Sequence, residues 1–124
     1  MTKRVLVVGS SVIAVLVGAA TAEASCIFQT AAEQRVRADV IFDGVALEGP
    51  TATGVQRFRV TGYRKGRGPA IVRIQTGHRV RADGSGSTTS VSIVVKKSQR
   101  WRIFGRGNAL RILQTNICDG SRRL

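Results

Sequence analysis

From Val91 to Cys118 the chain reads Val-Ser-Ile-Val-Val-Lys-Lys-Ser-Gln-Arg-Trp-Arg-Ile-Phe-Gly-Arg-Gly-Asn-Ala-Leu-Arg-Ile-Leu-Gln-Thr-Asn-Ile-Cys. Apolar residues recur at every second position in three short runs: Val91, Ile93 and Val95; Trp101 and Ile103; Leu110 and Ile112. Turn-forming stretches at 96–99 and 105–108 separate them. A period of two suits a strand with one buried face, and no helix can hide such a run. Upstream, residues 38–47, 55–65 and 70–76 repeat the pattern, with Gly44 marking a bulge or sharp bend in the first of them. In the second run Phe58 and Val60 share one face, and Arg57, Arg59, Thr61 and Tyr63 the other. Residues 77–90, centred on Asp83-Gly-Ser-Gly-Ser, read as a flexible loop. Thr30-Ala-Ala-Glu33 is a capping box, which predicts a helix of about two turns ending near Arg37 and held by packing. Turn signals at roughly 8–12-residue spacing predict an all-β sandwich or barrel of about six strands.

The two ends of the chain narrow this further. Lys3 and Arg4 precede an apolar run over 5–19, and Ala22-Glu-Ala24 has the small residues of a cleavage site. Residues 1–24 therefore read as a secretory signal. A membrane anchor is the alternative, but the run is shorter than the roughly 20 residues a bilayer needs. A lipoprotein signal is a further alternative, but Glu23 stands where such a signal has an aliphatic residue. Cleavage after Ala24 would leave a single domain, 25–124, without a transmembrane segment, in the periplasm or outside the cell. The chain has two cysteines, Cys26 and Cys118. In an exported chain an even pair reads as a disulfide. Two free thiols or metal ligands are the alternative, yet two cysteines and one distant His78 do not compose a zinc site.

The full chain carries 20 Lys and Arg against 7 Asp and Glu. Without Lys3, Arg4 and Glu23 the balance is 18 to 6, a net charge of +12. Such a domain is drawn to polyanions through salt-sensitive contacts. Most of the charge is arginine, whose planar fork matches carboxylate and phosphate.

The order of motifs is also informative. A cysteine and short helix precede Ala38-Asp-Val-Ile-Phe-Asp-Gly-Val45. Tyr63-Arg-Lys-Gly66, Ile71-Val-Arg-Ile-Gln-Thr76, Ser98-Gln-Arg-Trp-Arg-Ile-Phe-Gly105 and Thr115-Asn-Ile-Cys118 follow. Together these resemble the tissue inhibitor of metalloproteinases and netrin-like family, in its bacterial exported branch, over about residues 26–123. The resemblance implies an OB-like five- to six-stranded barrel with one short N-terminal helix. It also implies a protein-interaction module that contacts its target through the N-terminal segment, here Ser25 and Cys26. The family's inhibitors begin with Cys-x-Cys, whose first cysteine chelates the target's zinc. Here Ser25 stands before Cys26, so the resemblance implies metalloproteinase inhibition only as a third reading.

No catalytic constellation is visible. His78 sits in a glycine-flanked loop and reads as a solvated residue. Asp39 and Asp43 lie roughly 13 Å apart along a strand, too far to share a proton or an ion. Asp83-Gly-Ser-Gly lacks the ligand acids of a calcium loop, and no Gly-rich stretch has a Walker pattern. The chain therefore reads as a non-enzyme without a cofactor or metal. If Phe58, Val60, Trp101 and Ile103 point inward, then Arg57, Arg59, Tyr63, Arg100, Arg102 and Phe104 point outward, joined by Arg73 and Arg111. That mixture suits a polyanion surface, with acidic polysaccharide or envelope lipid headgroups as partners. The same arginines would also serve as a solvated face that prevents edge-to-edge aggregation. Few aromatics and export both disfavour nucleic acid.

Overall fold

The computed structural model describes Cys26 and residues 29–124. The signal sequence and Ser25 lie outside the described residues. Helix α1, Ala31–Arg37, begins at the expected capping box: Thr30 Oγ1 accepts from Glu33 N, and Glu33 Oε1 accepts from Thr30 N. None of its residues is buried. The helix is tethered rather than packed. Lys65 Nζ donates to the Arg35 carbonyl at 2.8 Å, and Gln34 Nε2 donates to the Cys118 carbonyl at 3.3 Å. The Cys26–Cys118 disulfide is formed.

Strands β1 (Val40–Ala46), β2 (Val55–Lys65), β3 (Ile71–Gln75), β6 (Arg100–Gly105), β7 (Ile112–Gln114) and β8 (Arg122–Arg123) form one curled sheet in the order β7-β3-β2-β1-β6-β8. β1 runs antiparallel to both β2 and β6, whereas β3 and β7 are parallel. Arg106 and Gln114 exchange two backbone hydrogen bonds, of 2.9 and 3.0 Å. They join β7 to the end of β6, so the ladder curls back on itself as a small all-β barrel of OB-like topology. Gly105 permits this approach, because a Cβ there would lie 3.0 Å from Leu113 Cδ1.

The interior follows the period-two pattern. Val40, Phe42, Phe58, Val72, Ile74, Trp101, Ile103 and Leu113 fill the core. Phe42 and Phe58 meet edge-on, with ring centroids 6.0 Å apart. Buried Gln56 donates to the Glu48 and Val95 carbonyls, tying the β1–β2 loop to the segment around Val95.

Three segments differ from their sequence patterns. Around β7 the apolar phase is reversed: Leu110 and Ile112 are exposed and Leu113 is buried, because β7 begins only at Ile112 and pairs with β3 through that register. Residues 91–95 send Ile93 and Val95 into the core as their alternation predicts, but they join no ladder. Both sides of β1, β2, β3 and β6 are already paired, so this extended stretch has no free interior edge. Within 77–90, read as a loop, β4 (Arg79–Val80) and β5 (Gly86–Ser87) make a small antiparallel hairpin. His78 there is only partly exposed, and its Nδ1 is buried.

Candidate functional site

β1 is the central strand, and its outward residues organise the outer face. Asp43 lies across from Arg102 on β6 and Gly62 on β2. Arg102 forks onto its carboxylate, with Nε–Oδ1 2.6 Å and Nη2–Oδ2 2.9 Å. Arg64 Nε donates to Oδ2 at 2.9 Å. Hydrogen bonding from Arg102 first, and then from Arg64, holds the Asp43 carboxyl at about 2, well below the usual carboxylate range. Arg102 is therefore committed to Asp43. Arg57 is likewise committed, to Glu48, through Nε at 3.1 Å and Nη2 at 3.0 Å. That bond lowers the Glu48 pKa and raises that of Arg57.

Arg59, Arg73 and Arg100 are exposed and, among the described residues, have no ion-pair partner. Register brings them onto one surface. Arg73 is directly opposite Arg57, and Arg59 and Arg100 flank Val45 from either side. Two strand spacings separate Arg59 from Arg100, about 10 Å. Ile71 lies opposite Arg59, and Ile112 beside Arg73. The result is a lattice of guanidinium groups and aliphatic side chains across β7, β3, β2, β1 and β6.

Three other residues expected on this face do not form part of its exposed sheet surface. Tyr63 turns inward, packs on the core and donates its hydroxyl to the Pro69 carbonyl at 2.7 Å. Strand β2 holds unpaired Thr61 and Arg64 as extra residues where its register against β1 shifts, and the shift at Thr61 reverses the alternation beyond it. The bend expected at Gly44 is one side of that irregularity. A Cβ on Gly44 would meet the Arg59 carbonyl oxygen at 2.9 Å. Phe104 does follow Arg100 and Arg102 outward, but it is buried with Ala38 and Ile41 beneath the helix side of the barrel. The Arg122 guanidinium lies 5.9 Å from its ring centroid. Arg111 is exposed in the turn before β7, outside the sheet.

Arg35, Arg64 and Arg122 carry no signal in the strand periodicity, and in the sequence Asp43 reads only as a possible carboxylate partner of Asp39. An acid inside an apolar strand of a strongly basic chain is a signal for cross-strand arginines, but its partners lie 21 and 59 residues away. Asp39 makes no pair with Asp43; its Oδ2 accepts from Gly107 N at 2.7 Å. Among the described residues no group of three or more His, Cys, Asp and Glu side chains could hold a metal ion. No helix among them is long and apolar enough to cross a membrane. No family model, curated protein or solved structure matches this chain.

Proposed function

We propose that this domain is an exported, non-catalytic binding module that engages a polyanion, such as acidic polysaccharide or envelope lipid headgroups. The observation behind this reading is the placement of Arg59, Arg73 and Arg100: exposed, on one sheet face, and with no carboxylate bound to them among the described residues. Arg73 faces Arg57 across one strand spacing, and Arg59 and Arg100 lie two spacings apart across Val45; like charges gathered on one face repel one another, and an array of phosphates or carboxylates relieves that repulsion. Retention on a heparin column tests the reading. The native protein should elute late and weaken steeply with salt, and an Arg59→Gln, Arg73→Gln, Arg100→Gln variant should elute at markedly lower salt. Co-elution of the two proteins would reject this face as the binding surface.

A second reading, a discrete protein partner of the netrin-like type, draws on the N-terminal helix, where Val36 is 79 % exposed beside Ala32. Its test is a saturable partner whose binding is lost in Val36→Asp but retained in the arginine variant. Inhibition of a zinc protease is the third reading, and a direct inhibition assay decides it.

A further inference from the structure

At the Phe104 end of the same outer face, with none of Arg59, Arg73 and Arg100 in its lining, a cleft of about 300 Å³ separates α1 from the sheet. Its floor is apolar, made by Ile41 and Phe104. Arg35, Arg64, Arg102 and Arg122 line its walls, and no acidic side chain does. Four guanidinium groups around an apolar floor concentrate positive charge at the cleft. Asp43, outside the lining, offsets only part of it by bonding Arg64 and Arg102. Arg64 uses only Nε there, which leaves its two terminal amino groups available. Arg35 and Arg122 have no ion-pair partner among the described residues. Arg122 meanwhile lies over the face of Phe104, as a guanidinium does when it lines an aromatic platform.

We infer that this cleft binds a small organic anion, with its carboxylate or phosphate head on the Arg35, Arg64 and Arg122 forks and its apolar body over Ile41 and Phe104. Planar guanidinium groups recognise either head bidentately. Ile41 and Phe104 are 2 % and 6 % exposed, so the floor offers a narrow apolar strip that a bare inorganic anion would leave unused. The volume is at the lower end of small-molecule sites. The arginines that hold the head are distinct from Arg59, Arg73 and Arg100, so either proposal can fail without the other.

Titrating the disulfide-intact protein with hexanoate and with hexyl phosphate, followed by calorimetry and by amide NMR shifts, tests the inference. At least one of the two should bind saturably in the millimolar range or tighter and shift the Ile41 and Phe104 amides. Comparing the two identifies the head group. Acetate, inorganic phosphate and hexanol should each bind at least about tenfold more weakly. The double variant Arg35→Gln, Arg122→Gln should weaken binding at least about tenfold, while Arg59→Gln, Arg100→Gln should leave it within about twofold. Arg35 and Arg122 are exposed, and an unchanged melting temperature without ligand verifies that the double variant folds. The inference is overturned if neither amphiphilic anion saturates the protein. It is equally overturned if bare anions or hexanol bind as well, or if the Arg35, Arg122 variant binds like the native protein.

Discussion

Replacing Asp43 with Asn removes the carboxylate between Arg102 and Arg64 while keeping its shape. The carboxyl titrates at about 2 in the folded protein, against 3.8 ordinarily. At about 1.4 kcal/mol per pH unit, that displacement sets a ceiling of about 2 kcal/mol on what the charge contributes. The Asp43 side chain is only 15 % exposed and Arg102 21 %, so most of that contribution survives there. Arg64 is 56 % exposed, and solvent screens its share. The expected loss is about 1–2 kcal/mol, read as the difference in urea unfolding between native and Asp43→Asn proteins, with the disulfide intact. The pH dependence separates charge from shape. Because the folded carboxyl titrates below the unfolded one, the unfolded chain takes up the proton first as the pH falls. The difference should be complete above about pH 4 and disappear as pH drops through about 2. Acids common to both proteins, including the similarly lowered Glu33 and Glu48, cancel in the comparison. Arg102→Met should cost more than Arg64→Met, since Arg102 grips both carboxylate oxygens. An Asn variant equally destabilised at pH 2 and pH 6, or not destabilised at pH 6, would refute the electrostatic account.

Other consequences are more direct. Reducing Cys26–Cys118, which closes a separation of 92 residues, should lower unfolding stability by about 4–5 kcal/mol in the chain-entropy model, measured by urea midpoints with and without reductant. Phe58→Ala should cost about 3–5 kcal/mol in the same assay, because the ring is fully buried against Phe42. Gly44→Ala should destabilise by about 1–3 kcal/mol, since the new Cβ meets the rigid Arg59 carbonyl and the Phe42 ring; a neutral result would mean that β1 and β2 part easily there. Thr30→Ala should cost about 1 kcal/mol and reduce amide protection at Glu33.

Much of the frame is legible in the order of the residues. Strict alternation placed Phe58, Trp101 and Ile103 inside, where they lie, and Val60, which packs against the core. A local hydrogen-bond code marked the start of α1 at Thr30 and Glu33, and the even cysteine pair anticipated the disulfide. These are signals of short range or of chemistry, and no neighbouring strand is needed to read them. The candidate binding surface is different, because it depends on which residues meet across strands. A register shift at Thr61 turned Tyr63 inward, and periodicity cannot count an extra residue that pairs with nothing. Phe104 kept its outward phase but is buried against Ala38 and its cross-strand partner Ile41, with the Arg122 guanidinium 5.9 Å from its ring centroid. Charge composition could say that arginines abound, but not which of them are neutralised. Only the pairing of β1 with β2 and β6 brings Asp43 to Arg64 and Arg102, while Arg59 and Arg100 remain unpaired beside Val45 among the described residues. Partners so far apart in sequence are set by strand register, and register is a property of the folded sheet.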